Sequence, residues 1–363
     1  MGSHLPPLFS ERVNVVIFYD FEVFKEDWLA VFIDVTKKKE YVIINNPDEL
    51  KALYEANSKD IWVGYNNRHY DQYIMKGILL GMNPKRINDW IIVEKKEGWQ
   101  FSSAFNKVPM INYDVMPNPP VGLKTLEGFL GSNIKETDVD FRINRKLTKE
   151  EIEMTVFYCR HDVEETIKVF LEKIDEFNAM HGIIQAFPDI VNLSDIGDSE
   201  ARITAKVLGC SRRSFEDEFD FYFLPCLQLK KYKYVQDWFE QKRQEALSMD
   251  LAHMDKYSKR TWYKEQGLET VVAGIPHSFG FGGVHGATAT PIHKTGQLLH
   301  VDVNNYYPSM LIAWGLVTRA ATNDNYPLVY NTRKAMKEKQ IAAKNAGNKK
   351  EVKRWKKAQL PYK

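Results

Sequence analysis

Short, nearly unbroken apolar runs alternate with amphipathic stretches along the chain, an order that predicts strands interspersed with helices. VNVVIFYDFE (14–23), WLAVFIDV (28–35) and EYVIINN (40–46) follow one another across brief polar breaks, which predicts a three-strand meander. PDELKALYEA (47–56) switches to helical periodicity, IWVGYN (61–66) returns to an apolar strand, and DQYIMKGILLG (71–81) begins a helix that Gly81 and Pro84 end. A long helix is predicted over 148–176, opened by a capping box in which Glu151 stands three residues after the cap Thr148. This succession makes the first part an α/β domain. Further on, the pattern gives a helix at 235–247, a glycine-rich stretch FGFGGVHGA at 279–287, a strand LLHVDV at 298–303, and a helix over 307–315 with Pro308 in its first turn. TRKAMKEKQIAAK and KKEVKRWKKAQL then predict two helices joined at 345–348, an antiparallel hairpin.

With 363 residues, 44% of them apolar, the chain can bury two cores and part of a third. It contains no run of about 18 apolar residues and no charged-then-apolar leader, so a cytoplasmic protein without membrane segments is expected. MGSH at the start reads as an artificial leader, and residues 1–13 are set apart from the fold. Cys159, Cys210 and Cys226 show no metal-type spacing and read as reduced packing thiols. The net charge of +2 hides a segregation: residues 331–363 carry twelve basic side chains against Glu338 and Glu351. That leaves an acidic body with a basic tip, which fits either a polyanion partner or a solvated helical hairpin.

The acids inside apolar surroundings carry the chemistry. Asp20 and Glu22 interrupt an apolar strand two residues apart, so both point from one face of the sheet. Two like charges side by side in a core need a positive neighbour, and a divalent cation suits them; a solvated strand end is the alternative. Asp71 stands at a strand-to-helix junction after Asn67 and Tyr70, and Tyr158 and Asp162 share a face of the long helix. Without histidine or cysteine ligands, the set Asp20, Glu22, Asp71 and Asp162 suits Mg2+ or Mn2+, and such a set can hold two ions for phosphodiester hydrolysis.

The succession Asp-x-Glu, Asn-x-x-Tyr-Asp, Tyr-x-x-x-Asp resembles the three motifs of the tyrosine subclass of DEDD-type 3′–5′ exonucleases. The resemblance covers about residues 14–176 and implies a ribonuclease H-like (DnaQ-like) fold with a mixed sheet. It further implies two Mg2+ or Mn2+ ions on Asp20, Glu22, Asp71 and Asp162, a catalytic water placed by Tyr158, and contacts from Asn67 and Tyr70 to a single-stranded DNA 3′ end. The histidine subclass places its histidine where this chain has Phe157, so His161 is not expected to act as the base. In the second part, DVNNYYPSM resembles the first palm motif of family B DNA polymerases. That likeness implies that Asp302 and the Val303 carbonyl bind Mg2+ and that Tyr307 packs under the sugar of a dNTP.

FGFGGVHGA resembles the Tyr-x-Gly-Gly linker before the palm, which would bring Gly282 and Gly283 close to template DNA phosphates; a tight turn or hairpin is the plainer reading of the same residues. Arg333 and Lys337, one helical turn apart, resemble the triphosphate grip of the fingers, and Lys363 falls on the lysine of the facing fingers helix. The span from Asp302 to Lys363 leaves no room for the insertion of protein-primed phage polymerases, and the exonuclease motifs begin near the N-terminus, as in a phage-like enzyme. The expected order is therefore exonuclease (14–180), connecting region (181–290), partial α+β palm (291–330) and helical-hairpin fingers (331–363). The Asp-Thr-Asp motif of the second palm half is missing from the sequence, so polymerisation on a DNA primer-template would need a further C-terminal portion, lost by truncation or carried on a second chain. A stand-alone DEDD nuclease acting on DNA or RNA and a non-catalytic nucleic-acid-binding protein are the rival readings.

Overall fold

The computed structural model of the chain describes residues 15–132, 139–210, 223–291, 295–297, 299, 301, 305–319, 321 and 324–362. The first elements are β1 (Val16–Val23), β2 (Trp28–Asp34), β3 (Lys39–Ile44), α1 (Pro47–Ala56), β4 (Ile61–Gly64), α2 (Asp71–Leu79), α3 (Pro84–Asn88) and β5 (Ile111–Asp114). After them come α4 (Leu123–Leu130), α5 (Lys149–Glu172), α6 (Ile174–Ala186) and α7 (Glu200–Val207). The five strands form one mixed sheet in the order β3-β2-β1-β4-β5, antiparallel across β1–β2–β3 and parallel across β1–β4–β5. The meander expected from the first three apolar runs is present, as are α1, α2 and the capping box of Thr148 and Glu151 at the head of α5.

β1 reads as a continuous apolar run because it is central and covered on both faces. Val16 and Phe18 point into a core completed by Val163, Phe170, Phe177 and Ile184. Ile17, Tyr19, Phe21 and Val23 point into a second core with Trp62, Ile74 and Ile87. Burying each such side chain contributes about 1.5–3 kcal/mol, enough in sum to fix the register of β1 against a one-residue slip that would exchange the two faces. The first core does not stop at residue 180. α6 runs through that position, burying Phe177, Met180 and Ile184, and Ile196, Ile203 and Val207 continue the same cluster.

The chain divides into two compact units, residues 1–209 with 323–363, and residues 210–322. The second unit holds α8 (Lys233–Ser248), α9 (Lys256–Glu265) and an antiparallel sheet of β6 (Leu268–Val272), β7 (Ile275–Gly280) and β8 (Gly283–Gly286). Phe281, at the turn between β7 and β8, packs against Trp262 and Phe239 at ring-centroid distances of 5.4 Å and 5.7 Å. The glycine-rich stretch is thus a hairpin. α10 (Tyr306–Ala313) follows with Pro308 in its first turn. Of the strand expected at 298–303, Leu299 and Val301 lie outside any strand and are 85% and 78% exposed, and the other positions lie outside the described residues.

The basic hairpin comprises α11 (Asn325–Asn345) and α12 (Lys349–Ala358) and belongs to the first unit. Val329 and Tyr362 pack against the first core, and Pro361 lies over Gly182 of α6. A Cβ on Gly182 would stand 2.4 Å from Pro361 Cγ, and a proline ring cannot swing aside. Gly182→Val is therefore expected to lift the Leu360–Tyr362 turn from α6, at a cost of about 1–3 kcal/mol from overpacking. Chemical denaturation would measure the loss, and faster tryptic cleavage within the basic hairpin would report the undocking; an unchanged cleavage rate would refute it.

Candidate metal centre

Alternation along β1 places Asp20 and Glu22 on the face that also carries Val16 and Phe18, the face covered by α5. Phe18 meets Phe170 of α5 edge-on at 5.2 Å, which anchors the helix against the strand. Toward the other end of the helix, Cys159 Sγ donates to the Asp20 carbonyl oxygen at 3.4 Å and to Asp20 Oδ2 at 3.5 Å. Ligand atoms of Asp20, Glu22 and Cys159 all lie within 4.8 Å of one another. Asp71 comes from the first position of α2, where Tyr70 provides no side-chain cap. It is buried, and its Oδ1 accepts a hydrogen bond from the Phe21 backbone N–H at 3.1 Å. The pairing of β1 with β4 ends at Phe18–Val63, so Asp71 binds β1 beyond the last strand partner on that side.

The acids also act on one another through their charges. Burial, and then Asp162, push the Asp20 carboxyl up to about 7. Glu22 is raised well above the usual carboxylate range by burial, then by Asp20, Asp162 and Asp71. Asp71 is raised by burial and by Asp20. Asp162, a quarter exposed, is raised chiefly by burial, with Lys124 pulling the other way.

Lys124 is the cation that sequence reasoning did not find. It projects from the first turn of α4, pairs with Asp162, and reaches Glu127 Oε1 at 3.1 Å. Burial works against its charge, but the two carboxylates outweigh it and hold its pKa above the ordinary lysine value. Glu127 has no exposed surface, and its Oε2 lies 3.6 Å from His161 Nε2, too far for a hydrogen bond. The only local signal was the i,i+3 spacing of Lys124 and Glu127, and nothing in it shows that α4 crosses α5 beside Asp162.

Cys159, read from sequence as a packing thiol, is buried and also orients Asp20. Its pKa is driven well up by burial, Asp20 and Glu22, so it remains a protonated donor. Among the described residues Asp20 and Glu22, with Cys159 beside them, form a group that could hold a metal ion, and Asp71 and Asp162 lie near enough to raise their pKa values.

The remaining sequence candidates divide. Tyr158 lies half-buried one turn before Asp162, its ring edge-on to Phe157 at 5.7 Å. Tyr70 donates its hydroxyl to Asn88 Oδ1 at 2.7 Å, and burial followed by Asp71, Glu22 and Asp20 raises its pKa, which marks it as a neighbour of the acids. Asn67, expected to touch a DNA end, has no exposed surface. Its amide donates to Asn112 Oδ1 at 2.9 Å and to the Tyr113 carbonyl at 3.3 Å, so it braces β4 against β5 from inside.

Asp302, Val303 and Lys363 lie outside the described residues. Tyr307, 76% exposed on α10, and Gly282 and Gly283 at the β7–β8 turn belong to the second unit. Arg333 and Lys337 lie one turn apart on α11 in the first. Arg333 is half-buried, and its Nε has no hydrogen-bond partner. Among the described residues no helix is long and apolar enough to cross a membrane. No protein-family model matches this chain, and none of the curated proteins matches it.

Proposed function

We propose that the first unit is a DEDD-type 3′–5′ exonuclease of ribonuclease H-like fold that removes nucleotides from a DNA 3′ end. The observation that carries this reading is the placement of Asp20 and Glu22 side by side on β1 beside Cys159 of α5, with Asp71 of α2 bonded to the Phe21 N–H between them and Asp162 of α5 near enough to raise the pKa of both. The mixed five-strand sheet is compatible with such a fold.

Asp20, Glu22, Asp71 and Asp162 would hold two divalent cations, which when bound supply Lewis-acid charge for activating water and stabilising the leaving oxygen. The chain's own groups keep these acids in place. The Cys159 S–H fixes Asp20, the Phe21 N–H fixes Asp71, and Lys124 holds Asp162. The Tyr158 hydroxyl, one helical turn from Asp162, orients the attacking water. Tyr70, with its hydroxyl tied to Asn88, presents its ring beside the acids as a support for the terminal nucleotide.

The wider reading is the N-terminal portion of a family B DNA polymerase, with this unit proofreading its product. Asp302, Val303 and Tyr307 would then belong to the palm, and Arg333, Lys337 and Lys363 to a dNTP grip; extension would require a partner carrying the remaining palm carboxylates. The test is degradation of a 5′-labelled DNA oligonucleotide. With Mg2+ or Mn2+ the products should form a ladder shortened from the 3′ end, and EDTA should abolish it. Absence of any degradation with either ion would remove the nuclease reading. Extension with dNTPs that appears only when a C-terminal partner is added would support the polymerase reading over a stand-alone nuclease.

A further inference from the structure

The hairpin carries a second feature, separate from the acids and from the Arg333–Lys337 pair. Along α12, Lys349, Lys350, Lys353, Lys356 and Lys357 recur at i, i+1, i+4, i+7 and i+8, which is one continuous face of a helix. All five are exposed, and none forms an ion pair among the described residues. The opposite face turns inward: Val352 and Trp355 are half-buried and Gln359 is buried, its amide donating to Gln340 Oε1 of α11 at 2.9 Å. Lys339 and Arg354 lie over the Trp355 ring at 4.7 Å and 5.1 Å, joining the two helices.

Such a stripe costs stability. Like charges at i,i+3 and i,i+4 repel by about 0.2–0.5 kcal/mol per pair, and Lys353 alone has four such neighbours in the row. A solvated surface helix ordinarily relieves this with interspersed acids, whereas the acid of this helix, Glu351, pairs with Arg354. The row spans about 12 Å along the axis, the length of three to four phosphates of one strand.

We infer that the lysine face of α12 is a surface that tracks the phosphate backbone of a nucleic-acid strand. Its hairpin packs through Val329, Pro361 and Tyr362 on the same unit as the four acids, so, resting on the proposed function, the strand it tracks would be that unit's substrate. Charge on the stripe acts through affinity and leaves the hydrolytic residues untouched.

The experiment is fluorescence anisotropy of a labelled oligothymidylate, with an RNA of matched length in parallel. It is run in EDTA, so that no hydrolysis occurs and the outcome is independent of the nuclease reading. For the wild-type chain, affinity should fall steeply between about 50 and 200 mM salt. Lys353→Gln/Lys356→Gln/Lys357→Gln should flatten the slope of log K against log salt by about 2, at roughly 0.7 per phosphate contact on a single strand, and weaken binding on the order of a hundredfold at about 0.1 M salt. Glu351→Gln, which frees Arg354 and removes a negative charge, should tighten binding severalfold, a gain that misfolding cannot produce. Equal loss on DNA and RNA would confirm backbone recognition. Unchanged affinity and slope in the triple variant would overturn the inference, as would a wild-type chain that binds phosphatidylserine vesicles and neither oligonucleotide.

Discussion

Asp20→Asn is expected to abolish metal-dependent removal of 3′ nucleotides while making the metal-free protein more stable at alkaline pH. The activity follows from the proposed function: losing one carboxylate of a centre that would hold two cations removes several kcal/mol of transition-state stabilisation, about a thousandfold or more in rate. The stability follows from crowding. Asp20 is raised from 3.8 to about 7, so the folded state binds a proton that the unfolded chain releases at lower pH. An acid shifted upward penalises folding above its folded pKa, and the penalty fades as pH falls toward the unfolded value.

A shift of about three units corresponds to roughly 4 kcal/mol at full strength, and partial exposure of Asp20 reduces this to about 2 kcal/mol. In EDTA at pH 8, Asp20→Asn should therefore unfold at higher denaturant than wild type, and at pH 4 the two should coincide. Mg2+ should stabilise wild type more at pH 8 than at pH 6, because protons compete for the same oxygens, and should stabilise the variant much less. Denaturant midpoints across pH, with and without Mg2+, check all of this. An Asp20→Asn protein weakened equally at both pH values would make Asp20 a structural side chain.

What was legible in the sequence was whatever short-range periodicity controls. The apolar runs of β1, β2 and β4 announced strands because both faces of that sheet are covered. Thr148 and Glu151 announced the start of α5 because a capping box is a four-residue event. Asp20 and Glu22 stood out because two acids on one face of a buried strand contradict their surroundings, and Tyr158 and Asp162 because i,i+4 fixes a shared helix face.

The residues that were missed depend on which elements cross. Lys124 and Glu127 look like an ordinary surface pair until α4 is laid beside Asp162, and Cys159 looks like packing until its thiol faces Asp20. β5, only four residues long, offered too few positions for alternation to show. The return of 323–363 to the first unit was invisible for the same reason. Val329 and Tyr362 flank a basic hairpin whose composition advertises solvent, yet they complete a core formed more than a hundred residues earlier.

Lys124→Met should then expose how the centre holds together without metal. Lys124 is one-third exposed and pairs with a partly exposed Asp162 and a fully buried Glu127. Removing one partner of a buried pair costs about 3–5 kcal/mol because the other charge is stranded, and the exposure of Lys124 brings this to about 2–3 kcal/mol in EDTA. For a unit of this size that is a fall in Tm of roughly 5–10 °C. Mg2+ should restore only part of the loss. A cation held as proposed by Asp20, Glu22, Asp71 and Asp162 would replace the ammonium for Asp162, whereas Glu127 would keep, among the described residues, His161 at 3.6 Å. Adding Glu127→Gln to Lys124→Met should recover most of what Mg2+ leaves unrestored, since a neutral amide no longer needs the lysine. Thermal melts of the two single variants and the double variant, each in EDTA and in Mg2+, measure the coupling. If Lys124→Met melts with wild type in EDTA, the lysine contributes nothing to the cluster, and the four acids must be balanced in some other way.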